Sequence, residues 1–271
     1  MGDDRQLKGL DGDLLPLFER LAIEAGHVIM RHYEQGFSVE HKADDSPVTA
    51  ADRDAEAVIL DGLRAQGLAL PCVAEESVSR GVIPACGDAF LLIDPLDGTR
   101  EFVNRRPDFT VNIALVRGGA PVLGVIYAPA RNLLFRGGAD GAFEVEVKGR
   151  DIAGRKRIQA RARRADEPPV ILASLSHRTP ETDAYIARFP GARVTSIGSS
   201  LKFCLIARGE ADLYPRFGPT MQWDTAAGDA ILRAAGGMTR DVAGNPLVYG
   251  PREDSGFLNP SFVAEGAGFT A

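Results

Sequence analysis

Phe90-Leu-Leu-Ile-Asp94-Pro-Leu-Asp97-Gly-Thr99-Arg-Glu-Phe102 opens with four consecutive apolar residues and then turns abruptly acidic. A run so short and dense predicts a buried strand, which delivers Asp94 and Asp97 to its own tip. Pro95 biases Asp94 toward extended backbone, and Gly98 permits a positive φ just where a helical turn can begin. Two acids separated by two residues can converge on one hard cation, with the Leu96 carbonyl as a further oxygen. The N–H groups of Gly98 and Thr99 are then free to hold a phosphate oxygen. An Asp-Gly pair alone is most simply a turn. The whole Asp-Pro-Leu-Asp-Gly-Thr string asks for more.

A chain of 271 residues suffices for one large domain or two smaller ones sharing an interface. Its 45% hydrophobic and 25% charged residues predict a folded soluble protein rather than a disordered one. The formal net charge of −6 argues against a partner such as a nucleic acid polymer, whose phosphates the average surface would repel. Cys72, Cys86 and Cys204 are odd in number and form no Cys-x-x-Cys pair, so neither a disulfide framework nor a structural zinc site is expected. Met1 to Gly12 lacks the basic-then-apolar order of a signal peptide, and no apolar run approaches the roughly 18 to 20 residues that span a bilayer. The expectation is a cytoplasmic protein, with peripheral attachment at the cytoplasmic face of the inner membrane, and monomer or homodimer, left open.

Leu14, Leu15, Leu17, Phe18, Leu21, Ala22, Ala25, Val28 and Ile29 recur at helical spacing up to Gly36, which predicts a long amphipathic helix. Thr49 with Asp52 three residues later reads as a capping box at the start of a second helix, with Asp in place of Glu or Gln. A carboxylate there can also orient a hydroxyl or a water, and both readings stand. Leu70 to Ala74 reads as another buried strand, ending on Glu75-Glu76; Glu75, at the strand end, is the candidate ligand, and its neighbour a solvated charge. Thr110–Val116, Val122–Tyr127, Leu133–Arg136 and Ala142–Val147 have the spacing of antiparallel hairpins. The basic run from Arg150 to Arg164 reads as a solvated connector, with an anionic partner or membrane surface as the alternative.

That run places a boundary near residue 150. Residues 1–150 form an α+β half with a large, mostly antiparallel sheet and the metal site. Residues 151–271 form an α/β half, in which strands at Val170–Ala173, Ala192–Ile197 and Ala211–Tyr214 alternate with helices at Pro180–Phe189, Leu201–Ala207 and Trp223–Ala235. Asp224, in the first turn of the last helix, is either a cap favoured by the helix dipole or a carboxylate aimed by close packing of the small residues 226–228. Asp52, Glu75, Asp94, Asp97 and Asp224 thus all stand at element ends. Mg²⁺ takes oxygen ligands, and this set offers no His or Cys to favour zinc. Four acids and a carbonyl can hold two such ions, which about 3.5 to 4 Å apart stabilise both the attacking water and the leaving oxygen of a phosphoryl displacement.

Asp94-Pro-Leu-Asp-Gly-Thr99, Glu75-Glu-Ser77 and Trp223-Asp-Thr-Ala-Ala-Gly228 resemble the inositol monophosphatase superfamily of lithium-sensitive, Mg²⁺-dependent phosphatases. Within it, Ser46-Pro-Val-Thr-Ala-Ala-Asp52, Gly98-Thr-Arg-Glu-Phe102, Phe109-Thr-Val-Asn-Ile-Ala-Leu115, Gly198-Ser-Ser-Leu-Lys-Phe-Cys204 and Leu213-Tyr-Pro-Arg-Phe-Gly-Pro-Thr220 are similar to the bacterial CysQ-type 3′(2′),5′-bisphosphate nucleotidases. The resemblance implies a layered αβαβα sandwich. It implies Glu75, Asp94, the Leu96 carbonyl, Asp97 and Asp224 as ligands for two or three Mg²⁺ ions, and a catalytic pair in which the Thr99 hydroxyl, held by Asp52, orients and helps deprotonate the attacking water.

The implied substrate is 3′-phosphoadenosine 5′-phosphate, a by-product of sulfate assimilation, or its phosphosulfate analogue, cleaved to AMP or adenylyl sulfate and phosphate. Around the cleaved phosphate the implied contacts are Glu75, Leu96, Asp97, Gly98, Thr99, Arg100 and Asp224. Candidates for the remote 5′-phosphate are Ser174, His177, Ser199, Ser200, Lys202 and Arg216. Arg100 stands where these nucleotidases usually have Lys, and Leu175 replaces a common basic residue. The nearest alternative is an inositol monophosphatase or general sugar-phosphate phosphatase, which commonly carries Thr-Asn-Phe where this chain has Arg100-Glu101-Phe102. A distant one is a non-catalytic Mg²⁺-dependent phosphate-ligand binder, which has no use for the Asp52 and Thr99 pair.

Overall fold

A computed structural model describes residues 4–41, 47–164, 166–174 and 178–269. Helix α1 (Asp4–Gln35) stops just before Gly36, as its spacing predicts. The paired strands β1 (Val39–His41) and β2 (Pro47–Thr49) lead into α2 (Ala50–Ala65), whose start is the expected Thr49/Asp52 capping box. Next come β3 (Cys72–Ala74), α3 (Glu75–Ser79), β4 (Ala89–Asp97) and α4 (Thr99–Val103). Strands β5 (Thr110–Arg117), β6 (Ala120–Ala128), β7 (Leu133–Gly138), β8 (Gly141–Lys148) and β9 (Asp151–Ile158) complete a seven-stranded sheet in the order β3-β4-β5-β6-β7-β8-β9. Only β3 and β4 pair in parallel among its described strands.

A second sheet follows from β10 (Val170–Ser174), α5 (Pro180–Ile186), β11 (Arg193–Ile197), α6 (Leu201–Ala207), β12 (Leu213–Arg216), α7 (Ala226–Ala234), β13 (Met238–Asp241) and β14 (Phe262–Glu265). Its order is β11-β10-β12-β14-β13, with the first three strands parallel and the last two antiparallel.

The layers follow from how β4 and β5 divide their side chains. Successive residues of a strand point to opposite faces. Leu91, Ile93, Val111, Ile113 and Leu115 accordingly pack with Phe18, Leu21 and Ile59 of α1 and α2, while Phe90, Leu92, Ala114 and Val116 pack with Phe203 and Ile231 of α6 and α7. A strand covered on both faces needs apolar residues at every position, which is why Phe90 to Ile93 is an unbroken run. The far face of the smaller sheet takes Ile186 of α5. The stack is therefore helix, sheet, helix, sheet, helix.

The structure departs from the sequence reading at several elements. The basic run is not a connector over 151–158: it is the edge strand β9, paired with β8, so the larger sheet continues past residue 150. Its alternation is hidden because the long basic side chains lie along the sheet, Arg155 reaching Glu19 at 2.6 Å and Arg157 resting 5.8 Å from the centre of the Phe143 ring. Charge at such an edge also discourages pairing with another chain. Strands β13 and β14 were not anticipated, their four-residue length leaving little pattern to read. The last helix begins later than expected, because Gln222–Asp224 is a separate 3-10 turn before α7.

Helix α7 sits directly on β6 and β7 because those strands carry glycines at the contact. A Cβ at Gly124 would lie 2.4 Å from the Ala227 carbonyl oxygen, and one at Gly137 2.5 Å from the Ile231 Cα. Gly124→Ala should lower the unfolding free energy by about 1–3 kcal/mol through overpacking. Gly154→Ala, on the exposed edge with nothing near it, should stay within about 0.5 kcal/mol of the parent in the same urea titration.

Candidate active site

Two pairings bring the acids together. The parallel ladder sets Ala74 beside Ile93, so Glu75 and Asp94 leave neighbouring strand ends side by side. In the antiparallel ladder Asp94 faces Asn112 and Asp97 faces Thr110, which leaves one extra residue on β4 between the two acids. In a regular strand Asp94 and Asp97 would point to opposite faces; the bulge removes that opposition. Gly98 then turns the chain with φ +92° and α4 starts at Thr99. Asp224 enters from the turn before α7, one of its carboxylate oxygens accepting the Met221 N–H at 2.9 Å.

Asp94 is buried, and burial, followed by the charges of Glu75, Asp97 and Asp224, pushes its carboxyl well above the usual range. Burial, then Asp97 and Glu75, does the same to Asp224. Asp94 and Asp224 thus feel the charges of the acids gathered around them. Among the described residues no three His, Cys, Asp or Glu side chains are drawn into a finished metal cage. What stands there is a set of oxygen donors with unbalanced negative charge, and that chemistry fits a hard divalent cation. Glu76 corrects one expectation: it is buried rather than a solvated charge. Because a helix begins at Glu75, the two side chains diverge, Glu75 lining a cavity and Glu76 turning inward toward Asp52.

Asp52 serves its helix and the site at once. One carboxylate oxygen accepts both the Thr49 N–H and the Thr49 hydroxyl at 2.8 Å. The other lies 3.0 Å from the Thr99 hydroxyl, which is also 3.2 Å from the Leu96 carbonyl oxygen. Burial pushes the Asp52 carboxyl up to about 6 against the pull of the Thr49 hydrogen bonds.

A cavity of about 250 Å³ is lined by Glu75, Asp97, Asp224, Gly98, Thr99, Arg100, Ser174, Ser199, Ser200, Lys202 and Arg216. His177 lies outside the described residues. The remote-phosphate candidates are more committed than their sequence suggests. Ser200 donates its N–H (2.6 Å) and its hydroxyl to Asp97, and its hydroxyl also meets the Asp224 carbonyl oxygen. Lys202 donates to the Ile197 and Ser199 carbonyls at 3.2 and 2.5 Å, and burial lowers its ammonium to about 8. Arg216 donates to the Gly218 and Pro219 carbonyls at 3.2 and 2.6 Å. Asn112, given no role from sequence, donates to Ser200 at 2.7 Å. Its signal was a polar residue in the apolar run Thr110–Val116.

The inositol monophosphatase family model matches residues 13–262. The chain belongs to the inositol monophosphatase family. Among its relatives, the 3′(2′),5′-bisphosphate nucleotidase CysQ of Escherichia coli K12 is 46% identical over 245 residues, 90% of this chain and 96% of that protein. The crystal structure of CysQ from Bacteroides thetaiotaomicron superposes with a TM-score of 0.74 at 38% identity, covering 91% of this chain and 94% of that one. An IMPase of Thermotoga maritima gives 0.75 at 28% identity, covering 93% and 92%. The layered αβαβα sandwich is this family's fold.

Held apart from any cation, the acid cluster costs stability. Asp94→Asn, which keeps an oxygen to accept the Leu96 N–H, should raise the unfolding free energy measured in chelator by about 1–2 kcal/mol. The reverse, a destabilised chelated variant, would mean that the acids do not repel as described.

Proposed function

We propose that this family member is a Mg²⁺-dependent 3′(2′),5′-bisphosphate nucleotidase, hydrolysing 3′-phosphoadenosine 5′-phosphate, and its phosphosulfate analogue, by attack of water on the 3′-phosphate. The observation that carries the reading is the Thr99 hydroxyl, which donates to buried Asp52 and lines one cavity with Glu75, Asp97 and Asp224. The 46% identity to a CysQ nucleotidase across nearly the whole of both chains selects the nucleotide among phosphate esters.

Glu75, Asp94, the Leu96 carbonyl, Asp97 and Asp224 would hold the magnesium, two or three ions of it. Bound there, magnesium neutralises phosphate charge and acidifies water. The chain supplies the rest. By donating to Asp52, the Thr99 hydroxyl keeps its lone pairs for a water proton. As the water oxygen bonds to phosphorus, that proton passes to Thr99 while the Thr99 proton moves to Asp52, whose raised pKa suits a transient acceptor. The bond between phosphorus and the ester oxygen breaks, its electron pair goes with the oxygen, and that oxygen takes a proton from solvent water to leave as the 3′-hydroxyl of the nucleotide, while Asp52 returns its proton to solvent. Arg100 gives the cavity positive charge beside the cleaved phosphate, and Lys202 and Arg216 do so for the second phosphate from side chains already fixed to backbone carbonyls. Among the described residues no helix is long and apolar enough to cross a membrane, and we place the enzyme in the cytoplasm.

Phosphate release should be clearly fastest from 3′-phosphoadenosine 5′-phosphate, slower from inositol 1-phosphate and fructose 1,6-bisphosphate, and lost in chelator. Preference for inositol 1-phosphate would reassign the substrate. Thr99→Ala should cut kcat about 10²–10⁴-fold while calorimetry finds Mg²⁺ affinity largely retained. Unchanged turnover would remove Thr99 from the chemistry.

A further inference from the structure

Helix α3 is only five residues long, and Ala74 before it has no side chain to cap it. The amide hydrogens left open at its start are taken from a distance. Glu56 on α2 accepts the N–H of Glu76 at 2.8 Å and of Ser77 at 3.2 Å with one carboxylate oxygen. Its other oxygen accepts the Ser77 hydroxyl at 2.7 Å and the Arg80 guanidinium at 3.1 Å. The carboxylate is only 2% exposed. With four donors on two oxygens it is committed to α3.

Glu56 lies four residues after Asp52, so both occupy one buried face of α2. One turn of that helix reaches the Thr99 hydroxyl through Asp52. The next reaches, through Glu56, the turn that begins with Glu75. We infer that Glu56 is the positioning residue for Glu75: it fixes the first turn of α3 and so sets where the Glu75 carboxylate stands relative to Asp94, Asp97 and Thr99. The inference rests on reading Glu75 as a metal ligand. Groups that orient a ligand from behind typically change metal affinity 10–100-fold when removed.

The test uses the full chain with Mn²⁺ alone as probe and no substrate, following bound ion by electron paramagnetic resonance and folding by thermal melting. Glu56→Ala should weaken Mn²⁺ binding about tenfold or more. Glu56→Gln keeps one oxygen for the Glu76 and Ser77 amides and should recover most of the affinity. Arg80→Ala leaves those amide bonds in place and should match the parent. If Glu56→Ala does not fold, Glu56→Asp, whose shorter side chain draws the carboxylate back from the Glu76 and Ser77 amides, carries the comparison, with weakened binding supporting the inference and unchanged binding overturning it. A lower melting temperature with parental Mn²⁺ affinity in Glu56→Ala makes Glu56 a structural cap only and overturns the inference, leaving the nucleotidase reading intact. A parent protein that binds no Mn²⁺ overturns the metal reading of the site, and this inference with it.

Discussion

Four carboxylates gathered from the ends of buried strands and from the turn before α7 are the constraint around which this molecule is built. Asp94 and Asp224 are driven toward their neutral forms by burial and by the charges of the acids around them. Such a cluster persists only because the surrounding framework holds it. The framework here is a sheet with helices on both faces, the β3 and β4 ends being fixed by ladder pairing rather than by the acids themselves. Stability spent in this way is recovered when a cation binds to the folded form and not to the unfolded chain.

The same economy runs through the polar contacts. Asp52 closes the capping box of α2 with one oxygen and meets Thr99 with the other. Ser200 joins Asp97 to the backbone at Asp224, tying residues from the two sheets' halves of the chain across the cavity floor. Lys202 and Arg216 point charge at the cavity while anchored to their own loops. A side chain already bonded loses little freedom on meeting a ligand, which is how a site is organised in advance of its substrate.

Much of this was legible in the sequence because element ends leave local marks. Apolar runs closing on Asp94 and Glu75, the Thr49-to-Asp52 spacing and the small residues after Asp224 each signal where a carboxylate stands. Tertiary choices leave none. Nothing local says that Glu76 turns inward, that the basic residues 151–158 extend a sheet, or that Ser200 faces Asp97 in place of a distant phosphate. The bulge between Asp94 and Asp97 is a property of the β4–β5 register, which a single strand cannot reveal. Asn112 marks the middle ground: its polarity in an apolar strand is visible, and its partner, Ser200, is not.

Diffraction from crystals grown with Mn²⁺ and inorganic phosphate, with data collected at the manganese edge, tests the central claim most directly. The account predicts anomalous peaks among Glu75, Asp94, Asp97 and Asp224, with phosphate between them and the Thr99 hydroxyl. Manganese bound only elsewhere, or a cluster that stays metal-free while phosphate sits in the cavity, would contradict it.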